Sequence, residues 1–166
     1  VTDNLTLAAA GSFVEKNMRM LNRANKIHHR EVSDYGDTKL QSMYQFLNSS
    51  NHKAQFNLGM SIPTGSIKQA YQGTRLPYAM QLGSGSYEAL PGLSYKAYQD
   101  TYSYGAQTNA AFRLNDNNNG YRLGDSYNFT VWTAKKLNEA FSLSSRFDYT
   151  ITHKIKGTDK ALNVMM

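Results

Sequence analysis

Much of the chain alternates between apolar and polar residues with a period of two. In the cleanest run, Ala54, Phe56, Leu58, Met60 and Ile62 oppose Lys53, Gln55, Asn57, Gly59 and Ser61 without a slip. Successive side chains of a β-strand point to opposite faces, so this run predicts a two-faced strand. Pro63-Thr64-Gly65 ends it, because proline has no N–H to give to a ladder. The same period predicts a strand over 4–14, with Leu5, Leu7, Ala9 and Phe13 against Thr6, Ala8 and Ser12. Another has Thr38, Leu40, Ser42, Tyr44 and Phe46 against Lys39, Gln41, Met43 and Gln45. Further runs start at Leu93, Tyr102, Tyr127 and Phe141, which makes seven candidate strands and no convincing amphipathic helix.

The connections alternate in length. Those over 16–35 and 66–87 are long and the one over 115–125 is intermediate, whereas 48–51, 99–101 and 135–139 are short. The stretch from Met80 to Leu93 carries Gly83, Gly85, Gly92 and Pro91, so it is no helix; without a Gly-Lys-Ser/Thr it is no phosphate loop either. It is expected to end a long loop and start the chain back down. Asn115-Asp116-Asn117-Asn118-Asn119-Gly120 is loop chemistry. No composition shift marks a boundary, so one domain over 1–166 is expected.

Two patterns favour a membrane barrel over a soluble sandwich. The predicted strands run about 9 to 13 residues, and about 9 to 11 tilted residues cross a bilayer core. Short turns on one side and long loops on the other are the habit of outer-membrane barrels. The faces agree: one carries Leu, Phe, Ala, Tyr, Val and Ile, the other amides and hydroxyls with scattered Lys and Arg. Aromatics fall near strand ends (Tyr44, Phe46, Tyr102, Tyr104, Tyr127, Phe129, Phe141), as in an interfacial girdle. A soluble all-β binding domain with an aromatic core is the blander alternative. Seven strands leave an open edge, which lipid does not tolerate. Missing strands or partner chains are therefore expected to complete the sheet.

Composition narrows this picture. Charged residues are only 18% of the chain, with 12 tyrosines and 7 phenylalanines, a mix suited to strands. The net charge is +6, but Lys and Arg are scattered with no basic run, which argues against a nucleic-acid partner. There is no cysteine, so disulfides and cysteine metal sites are excluded. No apolar run reaches the roughly 18 residues of a membrane helix. Val1-Thr2-Asp3 has no signal-peptide character, and the chain is expected to be a processed chain or a piece of a longer one.

Several motifs occur in one order: Asp3-Asn4-Leu5-Thr6-Leu7, Tyr35-Gly36-Asp37, Gly59-Met60-Ser61-Ile62-Pro63-Thr64-Gly65-Ser66, Tyr78-Ala79-Met80-Gln81-Leu82-Gly83-Ser84-Gly85 with Leu90-Pro91-Gly92-Leu93, and Asn119-Gly120-Tyr121-Arg122-Leu123-Gly124-Asp125. Over about 3–163 the chain resembles the bacterial outer-membrane transporter family known as the MetA-pathway of phenol degradation. The Met-Gln-Leu-Gly-Ser-Gly and Gly-Tyr-Arg-Leu-Gly-Asp pieces are the specific ones. The resemblance implies an antiparallel transmembrane β-barrel in a bacterial outer membrane, embedded in lipid and passing small solutes. Such proteins carry more sequence on both sides, including a last strand ending in an aromatic residue, so this chain is expected to be incomplete.

Candidate chemistry follows from parity. Lys39, Gln41, Gln45, Lys53, Gln55, Asn57, Lys96, Gln107, Asn109, Arg113, Arg146 and Asp148 fall on the polar side, with Glu88 at the rim. Positive charges outnumber negative ones, and charged rings in a lumen set ion selectivity, so a weakly anion-preferring passage is expected. A non-transporting structural or binding barrel is the second reading. Met18, Met20, His28 and His29 lie in one long connection and are ligand types that suit copper, but a solvated loop accounts for them more simply. Ser144, Asp148 and His153 are near in sequence, yet no Gly-x-Ser-x-Gly elbow exists. No catalysis and no cofactor is expected. Asp37 and Asp125, beside glycines, are expected to serve turns.

Overall fold

The computed structural model describes residues 4–21 and 27–162. Seven long strands make one antiparallel sheet: β1 (Leu5–Ala10), β4 (Thr38–Asn48), β5 (His52–Ile62), β8 (Glu88–Gln99), β9 (Tyr102–Arg113), β11 (Ser126–Lys136) and β12 (Ser142–Thr152). They lie side by side in chain order, β1-β4-β5-β8-β9-β11-β12, so each pairs with its successor and the sheet is an unclosed stretch of barrel wall. Its edges are β1 and β12. The intervening labels belong to three small two-stranded sheets: β2 (Phe13–Leu21) with β3 (Ile27–Tyr35), β6 (Ala70–Tyr71) with β7 (Thr74–Arg75), and β10 (Tyr121–Arg122) with β13 (Lys156–Gly157). All three sit at the long-connection end, the last formed between the β9–β11 connection and the segment after β12. The short turns all lie at the opposite end, between β4 and β5, β8 and β9, and β11 and β12.

The sheet is inside-out. Phe56 and Leu58 are 43% and 51% exposed, whereas Asn57 and Ser61 between and beyond them are 4% and 1% exposed. Leu93, Phe129 and Phe147 are likewise exposed, while Ser94 and Thr130 are buried. This arrangement suits a wall with hydrocarbon outside and water inside. Tyr44, Phe46, Tyr102, Tyr104 and Phe141 lie towards the short-turn end. Phe112 and Tyr127 meet edge-to-face at 5.7 Å near the other. Lys135 lies over the Tyr102 ring at 4.9 Å, a cation beside an interfacial aromatic.

The structure departs from the sequence expectations in four places. The first strand stops at Ala10, and the alternation through Phe13 and Val14 belongs to the next element. The long connection over 16–35 is mostly the β2–β3 hairpin. One of its faces (Val14, Lys16, Met18, Arg30, Val32) is half-buried and the other exposed, but both mix apolar with charged residues, so polarity gives no period to read. The connection over 66–87 contains the β6–β7 hairpin and the 3-10 turn Tyr78–Met80. Finally, β8 begins at Glu88 rather than Leu93. Proline and glycine hid those first residues. Pairing with β9 lapses at Leu90 and Pro91 and resumes in the same register at Gly92↔Asn109, as a residue without N–H requires. Asp3 and Asn163 of the expected family stretch lie outside the described residues.

Candidate functional site

Register brings the whole parity-derived polar set onto one face. Lys39 pairs with Ser61 and Gln41 with Gly59; Gln45 pairs with Gln55 and Asn57 with Gly92. Ser61 also pairs with Glu88, and Glu88 with Arg113. Two further rows run across the face: Gln55, Ser94, Gln107, Thr130, Asp148; and Lys53, Lys96, Gly105, Trp132, Arg146. Cross-strand neighbours lie about 5 Å apart, so each row is a band of adjoining side chains.

Both carboxylates of the face are held by arginine. Arg113 Nε donates to Glu88 Oε1 at 3.0 Å, largely buried, and Arg113 also reaches the Ser126 hydroxyl and the Ala111 carbonyl. Arg146 grips Asp148 through two bonds of 2.7 and 3.0 Å, and the Thr130 hydroxyl donates to the same carboxylate at 2.6 Å. Among the described residues, Lys39, Lys53 and Lys96 have no ion-pair partner. Amide bonds run along the face, from Gln55 to Asn57 and from Gln107 to Asn109.

One member of the face was missed as a candidate. Trp132, the only tryptophan of the chain, lies against Gly105 on β9; a Cβ there would collide with its ring. The signal was present, since Trp132 is in phase with Asn128 and Thr130. Its row and the rows on either side line a concavity of about 610 Å³ that includes Lys96, Gln107, Thr130, Ser144 and Arg146.

The other early candidates do not converge. Met18 is opposite Arg30 and His29 opposite Arg19, which puts Met18 and His29 on opposite faces of the hairpin. The side chains of Met20 and His28 lie outside the described ones. Ser144 and His153 are separated by roughly 30 Å of extended strand. The His153 ring rests on Tyr127 at 5.5 Å, and Asp148 is engaged by Arg146.

Over the long-loop end the connections pack into a cap. Asp37 takes backbone N–H bonds from Gly65 (2.9 Å) and Ser84 (2.8 Å) and the Ser84 hydroxyl (2.7 Å). Gly83 packs directly on the Gly65 backbone, where any side chain would collide. Leu76, Met80, Leu82, Ile67 and Tyr121 are buried there. Arg75 pairs with Asp159 at 3.4 Å, and the Tyr78 hydroxyl accepts from the Asp159 N–H. The Tyr121 ring sits 4.4 Å from Tyr78. Burial raises the Tyr121 hydroxyl above its ordinary value of 10.0, with the Asn117 side chain pulling the other way. Asp125 accepts from the Arg113 N–H, tying this end to β9. Lys16 of β2 donates to the carbonyls of Ala79 and Gln81, joining the hairpin to the cap.

Residues 4–162 match the family described as MetA-pathway of phenol degradation. The crystal structure of an outer-membrane channel from Pseudomonas putida F1 superposes with a TM-score of 0.62 at 17% identity, over 95% of this chain and 58% of that one. The chain thus spans somewhat more than half the length of that channel. No curated protein matches it. The motifs that carry the resemblance lie largely in the cap and the strand ends beneath it.

Proposed function

Given that the chain belongs to the MetA-pathway of phenol degradation family, we propose that it forms part of an outer-membrane channel for passive passage of small solutes, with a weak preference for anions. It does so as wall and cap rather than as an enzyme. Further strands close the sheet between β1 and β12. The observation that carries the preference is the charge pattern of the polar face. Glu88 and Asp148 are neutralised by Arg113 and Arg146, while Lys39, Lys53 and Lys96 keep their charge uncompensated among the described residues. Uncompensated cations on a lumen wall lower the barrier to anions.

The test is the reversal potential of the full-length protein in a planar bilayer under a salt gradient. Anion preference is expected, and replacing all three lysines by Gln should abolish or invert it. Cation preference in the parent would contradict the reading. A second reading, a barrel that binds without conducting, draws on the cap, whose buried Leu76, Met80 and Leu82 give the long-loop end a packed core of its own. Absence of conductance from folded protein would favour that reading.

A further inference from the structure

We propose that the polar face carries a subsite for small planar organic anions, centred on Trp132 and Lys96; the proposal rests on reading that face as the wall of a lumen. Three observations converge. First, Gly105 leaves a gap in the row Lys96, Gly105, Trp132, Arg146, and the indole lies over that gap, on the Lys96 side of its own strand. A flat apolar surface therefore lies beside a cation in an otherwise polar wall. Second, the carboxylate of the adjoining row is already engaged. Asp148 is taken up by two bonds from Arg146 and one from Thr130. Third, Lys96 stands directly opposite Lys53, and neither has an ion-pair partner among the described residues. Like charges directly opposite on adjacent strands are unfavourable, and an anion beside them relieves the repulsion.

The bordering concavity of about 610 Å³ falls within the range of small-molecule sites. A ligand with a flat face stacks on the indole, as bases do on aromatic platforms. Its carboxylate meets the Lys96 ammonium, and Gln107 supplies an amide at the edge of the site.

Ligand-observed fluorine NMR of 4-fluorobenzoate with the full-length protein in detergent micelles tests this without relying on conduction. Trp132→Leu is expected to weaken binding about 10-fold, within the range for loss of an aromatic stacking platform, and Lys96→Gln several-fold. Trp132→Phe, which keeps a ring, should restore part of the loss. If the Leu variant fails the heat-shift test for a folded barrel, the Phe and Lys96→Gln variants decide. Neutral 4-fluorobenzyl alcohol should bind several-fold more weakly than the anion. Equal binding of acid and alcohol, no binding to the parent, or affinity unchanged by Trp132→Leu would overturn the subsite. Bilayer recordings on the same preparation separate the two readings. Anion conductance without benzoate binding sinks the subsite alone; binding without conductance sinks the passage and keeps the subsite.

Discussion

In the strands, Asn57 and Ser61 are buried while Leu58 between them is exposed; in the cap, Leu76 and Met80 are buried while Lys68 and Gln72 are exposed. The same chain thus follows opposite rules at its two ends. The sheet has hydrocarbon on its outer side, so apolar side chains gain nothing by turning inward, and polar ones find water and one another in the interior. The cap stands in water and packs like a small soluble core, with Asp37 binding backbone N–H groups that would otherwise be buried without partners. A side chain's preferred place is set by the medium beyond it, not by its polarity alone.

Substitutions that exchange the two rules test this contrast. The largest effect is expected from Leu58→Arg on the outer face at mid-strand. A charge at the bilayer midplane costs about 2 to 4 kcal/mol, measurable by denaturant unfolding of the full-length barrel in vesicles. The same change in a soluble sheet face would be close to neutral, so a negligible effect would refute the lipid-facing assignment. Next is Asp37→Ala, which leaves the Gly65 and Ser84 N–H groups without their acceptor. Loss of about 2 kcal/mol is expected, confined to the cap. Hydrogen exchange should quicken over 63–87 and stay unchanged in β9 and β11.

The smallest and most graded effect concerns pH. The folded hydroxyl of Tyr121 titrates above its ordinary value of 10.0 because it is buried. Its neutral form is therefore favoured by folding. That contribution is full below pH about 10 and is lost as pH rises through the folded value. Amide protection in the cap should fall above that pH, once the intrinsic acceleration of exchange is subtracted, and Tyr121→Phe should flatten the profile. A profile indifferent to Tyr121→Phe would show that the cap does not depend on this burial.

What alternation could reveal was local. Leu5, Leu58, Phe129 and Phe147 announce an outer face, and the polar set from Lys39 to Asp148 could be placed on one wall because a period of two propagates along each strand. The loop lengths added which end is which. Pro91 and Gly92 misled only about where β8 begins, because their backbone preferences mask a ladder that neighbouring strands impose. The hairpin of β2 and β3 stayed hidden because the half-buried face it turns to the cap mixes Lys16 and Arg30 with Val14, Met18 and Val32, so burial alternates there while polarity does not.

The sequence by itself determined the class of fold, the order of the seven main strands and the side on which each of their residues lies, since each of these depends on contacts between near neighbours and on two uniform media. Tertiary structure alone decided which charges cancel, which glycine makes room for Trp132, and how the cap closes. Arg113 meets Glu88 across 25 positions, Ser84 meets Asp37 across 47, and Arg75 meets Asp159 across 84. No local period encodes contacts of that span. They exist because backbone pairing fixes the register first, and side chains then find whichever partners that register sets beside them.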